Sequence, residues 1–266
     1  MKIIVPIKQV PDTTEIKLDP RTGNLLREGV SSIINPDDRH ALEAALRLRD
    51  EHGGRLTVLS MGPDQAIDAL SEALGLGADE GVLLTDQAFA GADTWATSST
   101  LARAIQKIGD FDLICCGRQA IDGDTAQVGP QLAEILNLPQ VTSVCGISAV
   151  DPGPPGRCEV LRRSEIGYQR LSCPLPALLA VVSEMNTPRD PHMERLLRAC
   201  RTQTAIRVWN CADIGLKTQE VGLAESLTQV VRTFPPKTER KAEILKGDPR
   251  SVAGQLVDRL HENKLI

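Results

Sequence analysis

Along the first half of the chain, short and almost wholly apolar runs alternate with amphipathic stretches. Residues 2–7 (KIIVPI), 56–61 (LTVLSM), 82–84 (VLL) and 113–116 (LICC) are of the first kind, the pattern of strands buried on both faces of a parallel sheet. Ala41, Leu42, Ala45, Leu46 and Leu48 form a stripe at helical spacing, as do Ile67, Ala69, Leu70, Ala73 and Leu74, and then Ala102, Ile105 and Ile108. Each stripe follows a helix-start signal. Asn35-Pro36-Asp37-Asp38 offers a cap, a proline suited to the first turn and two acids that complement the helix dipole. Gly62-Pro63-Asp64 and Asp93-Thr94 open the other two helices, and Gly53-Gly54 stop the first. Gly75-Leu76-Gly77 resembles part of a dinucleotide fingerprint, but it follows a helix and reads as a helix stop. This alternation predicts an α/β fold built on a doubly wound, mainly parallel sheet.

Two stretches break the rhythm. Residues 16–18 and 25–27 flank a turn-rich segment, 19–24, and read as a hairpin. After Leu138-Pro139, residues 141–147, 158–163, 168–172 and 178–182 read as short strands without helices between them, an antiparallel extension with 152–156 at a tip. From residue 183 the pattern weakens. Residues 193–201 form a short helix, 206–209 are strand-like and 216–246 are polar and poorly periodic. Asp248-Pro249 starts a last amphipathic helix with Val252, Leu256, Val257 and Leu260. We therefore divide the chain into an α/β domain, 1–183, and an arm, 184–266, with little capacity to bury a core of its own. Such an arm docks on the main domain or on a partner chain.

Residues 117–130 (GRQAIDGDTAQVGP) connect the run ending at Cys116 to a stripe of Leu132, Ala133, Ile135 and Leu136. The order strand, Gly-containing loop, helix places backbone N–H groups where an anion can sit. It also lies at the carboxyl ends of the strands, where open α/β sheets bind ligands. Gly117 and Gly123 allow tight turns, and Asp124 and Thr125 are cap candidates. Thr125, Gln127 and the N–H groups up to Gly129 could hold a diphosphate. The same residues also suit an ordinary turn followed by a helix cap. Asp122 and Asp124 repel phosphate and read better as caps, ribose-hydroxyl acceptors or partners of Arg118.

Composition narrows the chemistry. The 266 residues are 41% hydrophobic and 24% charged, as in a soluble globular protein. A net charge of -5 argues against nucleic acid as a partner. Aromatics are only 2%, so any bound ring system would rest on backbone, aliphatic and polar contacts. The seven cysteines include no C-x-x-C pair, and their scatter suits a reducing cytoplasm. Cys115 and Cys116, adjacent on a strand, point to opposite faces and read as buried small hydrophobes. No apolar run approaches the ~20 residues of a membrane helix, and the amino terminus lacks the length of a signal peptide. His40, His52, His192 and His261 are scattered, and no nucleophile, Walker loop or metal cluster is suggested. The residues alone therefore give no evidence of acid–base or nucleophilic chemistry.

Residues 117–130 resemble the nucleotide signature of the electron transfer flavoprotein beta subunit. Further matches follow in order: VPIKQVPD at 5–12, INPDD at 34–38, LSMGP at 59–63, GAD at 77–79, FAGADTWATS at 89–98 and LPALLAV at 175–181. The resemblance covers nearly the whole chain and implies a Rossmann-like domain that binds an adenine nucleotide. The wording DGDTAQVGP is similar to the branch holding FixA proteins and flavin-bifurcating members, which implies FAD in this chain. The alternative branch carries AMP here and is a plain electron shuttle. The resemblance places Pro6, Lys8, Asn35, Asp37, Asp38 and Met61 at the nucleotide. It adds Arg118, Ala120, Ile121, Asp122, Gly123, Asp124, Thr125, Ala126, Gln127, Val128, Gly129, Pro130 and Gln131, and in the bifurcating branch Thr94, Thr97 and Ser98. Residues 185–197 resemble the family's recognition loop, with Met193 at the position that anchors a partner dehydrogenase; an ordinary loop is the other reading. The implied partners are an alpha subunit carrying its own FAD, NADH as donor, ferredoxin or flavodoxin, and an acyl-CoA dehydrogenase or quinone reductase. A third reading, an ATP-binding enzyme or stress-protein-like module, needs a phosphate-reading loop after the first strand. Ile7-Lys8-Gln9-Val10-Pro11, without Gly or Ser, stands there instead.

Overall fold

The computed structural model describes residues 1–12, 31–153, 155–231 and 242–266, with the backbone of 17–18 and 25–26. The chain divides into two compact units, Met1–Gln229 and Val230–Ile266.

The first unit is organised on a nine-stranded sheet. Its parallel part contains β1 (Lys2–Pro6), β6 (Arg55–Met61), β7 (Glu80–Leu84), β8 (Leu113–Gly117), β12 (Ala177–Val181) and β13 (Ile206–Trp209). β9 (Gln140–Asp151) lies parallel to β12, and β10 (Arg157–Ser164) and β11 (Gly167–Pro174) then run antiparallel. The spatial order is β11-β10-β9-β12-β8-β1-β6-β7-β13. Outside this sheet, β2 (Gln9–Pro11) pairs with β5 (Ser32–Ile34), and β3 (Lys17–Leu18) with β4 (Leu25–Leu26). The last pair accords with the expected hairpin; its turn, 19–24, and flanking Ile16 and Arg27 lie outside the described residues.

Two cores follow from the alternation of side chains along the central strands. Ile3, Val5, Leu113 and Cys115 pack with the apolar stripes of α1 (Pro36–His52) and α2 (Ile67–Leu76). Ile4, Ile114 and Cys116 face the other way, onto α3 (Thr94–Ile108) and α4 (Val128–Ile135). Helices therefore cover both faces of the sheet, and β8 and β12 are buried along their whole length. Burying one such Leu or Ile side chain contributes about 1.5–3 kcal/mol.

Three sequence expectations need correction. β12 does not belong to the antiparallel extension. It inserts between β8 and β9, parallel to both, as a central strand. An apolar run carries no record of which neighbours it will pair with. Second, residues 184–229, grouped above with the arm, lie within the first unit. There β13 adds to β7, and α5 (Met193–Thr202) packs on α2. Third, Gly77 is the stop of α2, at φ +132°, whereas Gly75 lies inside the helix. A Cβ on Gly75 would meet the Leu196 Cβ at 2.9 Å, so its bare backbone is what admits α5.

The second unit contains α6 (Pro249–Glu262), capped by the Asp248 carboxylate accepting from the Arg250 and Ser251 amides. Arg259 pairs with Glu243 and Glu262. Leu256 and Val257 of its apolar stripe are 50% and 46% exposed, consistent with an element that does not build its own core. Residues 232–241 of the polar stretch are outside the described set.

Candidate functional site

From β1 the chain winds one way, to β6 and β7, and then returns to lay β8 on the other side of β1. The carboxyl ends of β1 and β8 thus form a topological switch point, the crevice where ligands of such sheets bind. Pro6 ends β1, Gly117 ends β8 and Met61 ends β6. Met61, half-buried, packs on the core shared with α3 and α4.

The amino end of α1 holds this crevice together. The Asp38 carboxylate accepts from the Lys8 amide at 2.8 Å and from the Gly117 amide at 3.1 Å, fastening the two strand ends to one helix. Asn35 is fully buried and stands at the N-cap position, but its side chain does not cap the helix. Instead its amide donates to Gln119 O at 2.8 Å, and its carbonyl accepts from the Ile121 amide at 3.0 Å. The expected cap is therefore a loop clamp. Gly117 is required by packing: a Cβ there would stand 2.3 Å from Asp38 Oδ1 and 2.6 Å from Asp38 N.

The loop itself departs from expectation in three ways. α4 begins at Val128 with Gln127 at its N-cap, so Asp124 and Thr125 do not cap it. The left-handed backbone falls on Asp124 (φ 51°) and Ala126 (φ 54°), not on Gly123. Asp tolerates that conformation, and an alanine held there stores strain of the kind found at functional loops. Third, Arg118 is not the partner of Asp122 or Asp124. Lys8 Nζ binds Asp122 at 2.6 and 2.8 Å, Arg118 lies 3.9 Å from Asp37, and Asp124 accepts from Gln119 Nε2.

The far wall comes from α3. Asp93 caps it by accepting from the Ala96 amide. The Thr94 hydroxyl lies 2.9 Å from Gln127 Oε1 and 3.3 Å from Gln131 Nε2, and Ser98 Oγ lies 3.1 Å from Gln131 Oε1. Thr97 follows Thr94 on α3, half-buried. Gly129 is buried in the first turn of α4, where a Cβ would be 2.9 Å from Cys116 Sγ. Ala120 leads into the exposed residues 121–125, Ala126, Val128 and Pro130 are half-buried, and Pro130 is in the first turn of α4. The structure thus gathers the residues 117–131, Lys8, Asn35, Asp37, Asp38 and Thr94 into one place. Met193 belongs elsewhere, as the 64% exposed first residue of α5. Gln119, not singled out in the sequence, contributes both its carbonyl and its side chain; its position inside the signature was the only available signal.

These observations fit an anion held by backbone and hydroxyl donors. The amide groups opening α4 have no side-chain cap, and Thr125 and Gln127 are exposed beside them. Lys8 neutralises Asp122, which lessens the repulsion a phosphate would meet. Burial raises the Asp37 carboxyl above its usual value, opposed by the Arg118 charge and the Gln119 amide. Burial likewise pushes Asp38 up to about 7, against hydrogen bonds from Lys8, Asn35 and Gly117. The folded chain thus binds that proton more tightly than the unfolded chain, whose carboxyl titrates near ~3.9. Stability should fall as pH rises between those values and level off above about 7. Thermal midpoints of nucleotide-free protein from pH 5 to 8 check this, and Asp38→Asn should flatten the slope. A 440 Å³ cavity lined by Lys2, Arg55, Thr57, Glu80 and Asp110 lies at the opposite, amino ends of the strands. Its Glu80 is occupied by Arg55, Thr57 and Arg207.

A family model described as "Electron transfer flavoprotein domain" matches residues 22–210. The chain is 48% identical, over the full length of both, to "Electron transfer flavoprotein subunit beta" of Thermoanaerobacterium thermosaccharolyticum. It is also 48% identical, again over both full lengths, to "Caffeyl-CoA reductase-Etf complex subunit CarD" of Acetobacterium woodii. It is 45% identical to "Protein FixA" of Azorhizobium caulinodans, covering 99% of this chain and 95% of the relative. Among the described residues, no helix is long and apolar enough to cross a membrane, and no group of three or more His, Cys, Asp or Glu is arranged to hold a metal.

Proposed function

This chain belongs to the electron transfer flavoprotein family, as a beta subunit of the FixA kind, and from that premise we propose that it holds FAD at the β1–β8 switch point and works paired with an alpha subunit. The observation that carries the reading is the clamp of Asn35 and Asp38 on both sides of the crevice, which holds Gly117, Gln119 and Ile121 where the stretch DGDTAQVGP runs into the uncapped start of α4. The preference for the flavin over AMP rests on the wording DGDTAQVGP, which resembles the FixA branch, and the 45% identity to a protein named FixA accords with that branch.

In this reading Thr125, Gln127 and the opening amides of α4 bind the diphosphate. Asn35 and Asp38 orient the loop, the Lys8–Asp122 pair lines its mouth, and Thr94 and Gln131 buttress it. A bound FAD supplies hydride acceptance from NADH and one-electron transfer, to ferredoxin or flavodoxin and to the alpha-subunit flavin. An acyl-CoA dehydrogenase or quinone reductase would be the high-potential acceptor of the heterodimer. Met193, projecting from α5, is the anchor offered to that dehydrogenase. The second unit, with its exposed apolar stripe, is the arm that docks on the alpha subunit, and the cytoplasm is its setting.

The experiment is NADH oxidation by the purified heterodimer with each acceptor alone and with both. Oxidation that requires a low-potential and a high-potential acceptor together is the expected result. Equal rates with the high-potential acceptor alone would reduce the protein to a single-path shuttle, the role in which AMP occupies this site.

A further inference from the structure

Two cysteines that the electron-transfer reading leaves unused face one another at the outer end of the sheet. β10 and β11 form a hairpin closed by Glu165-Ile166, with Ser164 opposite Gly167. Following that register back sets Cys158 directly opposite Cys173. Opposed residues of an antiparallel pair project from the same face with Cβ atoms ~4.5–5.5 Å apart, near the ~3.5–4.5 Å that a disulfide spans. Both side chains are buried in one core cluster, at 0% and 4% exposure. Cys173 Sγ donates to the Pro174 carbonyl at 3.8 Å. The facing Cys158 sulfur draws the Cys173 thiol below its usual range, and Cys173 together with burial raises Cys158.

We propose that Cys158 and Cys173 are a peroxide-oxidisable dithiol that closes a cross-strand disulfide in this outer hairpin. The Cys173 thiolate attacks one oxygen of hydrogen peroxide. The O–O bond breaks, an S–O bond forms, and the departing hydroxide takes up the thiol's proton as water. The Cys158 sulfur then displaces the hydroxyl of the sulfenic acid, forming S–S and releasing a second water with its own proton. In sum, two thiols and one peroxide give one disulfide and two waters, and the sulfurs lose the two electrons that the peroxide gains. β11 is the edge strand of the sheet, so access to Cys173 requires only that the outermost strand open. Cys115 and Cys116 lie on the central strand β8, where burial holds both thiols protonated, Cys115 at about 12. Cys200, exposed on α5, reports that the oxidant has reached the protein.

The test treats the full-length chain, purified in its complex, with hydrogen peroxide. Remaining thiols are then alkylated under denaturing conditions, and the peptides are mapped by mass spectrometry. The expected product joins Cys158 to Cys173, reverts with dithiothreitol, and leaves Cys115 and Cys116 alkylated. In Cys158→Ser the sulfenic acid on Cys173 has no resolving thiol and is trapped by dimedone. Oxidation of Cys200 with no Cys158–Cys173 product would overturn the proposal, as would dimedone labelling in that variant that spares Cys173. The wild-type cross-link decides alone if the variant does not fold.

Discussion

Gly117→Ala empties the nucleotide site. The added methyl group would stand 2.3 Å from Asp38 Oδ1, 2.6 Å from Asp38 N and 2.7 Å from Asp37 C, and two of those atoms are helix backbone. No rotamer change relieves them, so the end of β8 must part from the start of α1. Overpacking of this kind costs roughly 1–3 kcal/mol in a core. Here the displacement falls on the seam where Asp38 fastens Gly117 and Lys8 together. Each 1.4 kcal/mol lost from binding is about tenfold in affinity, so we expect roughly ten- to hundred-fold weaker retention. The measurement is nucleotide released per chain on denaturation, with the thermal midpoint alongside. A lowered midpoint with full nucleotide content would show that the seam supports the fold but not the site.

Asn35→Ala should be nearly as severe for binding and milder for the fold. It leaves the Ile121 amide and the Gln119 carbonyl without the partner that holds them at 3.0 and 2.8 Å. An unsatisfied buried polar group costs about 1–3 kcal/mol. Because residues 121–125 are exposed, that cost can be shed by letting the loop move into water. The expected outcome is faster hydrogen exchange across 118–127 and loss of nucleotide, with the exchange of β1, β8 and β12 unchanged. Asn35→Asp keeps an acceptor for the Ile121 amide but loses the donor to Gln119 and buries a charge, so it should not rescue binding. Unchanged exchange in the loop would remove Asn35 from the account.

Much of the fold was legible because burial on two faces leaves a periodic trace. The runs of β1, β6, β7 and β8, the stripes of α1 to α3, and the opposed Cys115 and Cys116 all follow from alternation. What did not follow was pairing across long separations. β12 reads as one more strand after a meander, yet it inserts beside β8, as its uniformly apolar ALLAV permits. The site was legible as a stretch of sequence and not as a mechanism. Asn35-Pro36-Asp37-Asp38 satisfies the rules for a helix start, so nothing local shows that the Asn35 amide reaches Gln119 and Ile121. Lys8 meeting Asp122 has the same cause: charges are visible in a sequence, but their partners depend on where the turns bring them. Gly123 drew attention as the flexible residue, while the loop takes its left-handed turns at Asp124 and Ala126.

The central claim is that this chain holds a flavin of its own at the crevice between β1 and β8. The most direct measurement is the FAD and AMP content of the heterodimer, released by denaturation and separated chromatographically. The account predicts two FAD and no AMP per heterodimer, falling to one FAD in Gly117→Ala. One FAD with one AMP would contradict it, and would make the clamped loop the seat of a structural nucleotide.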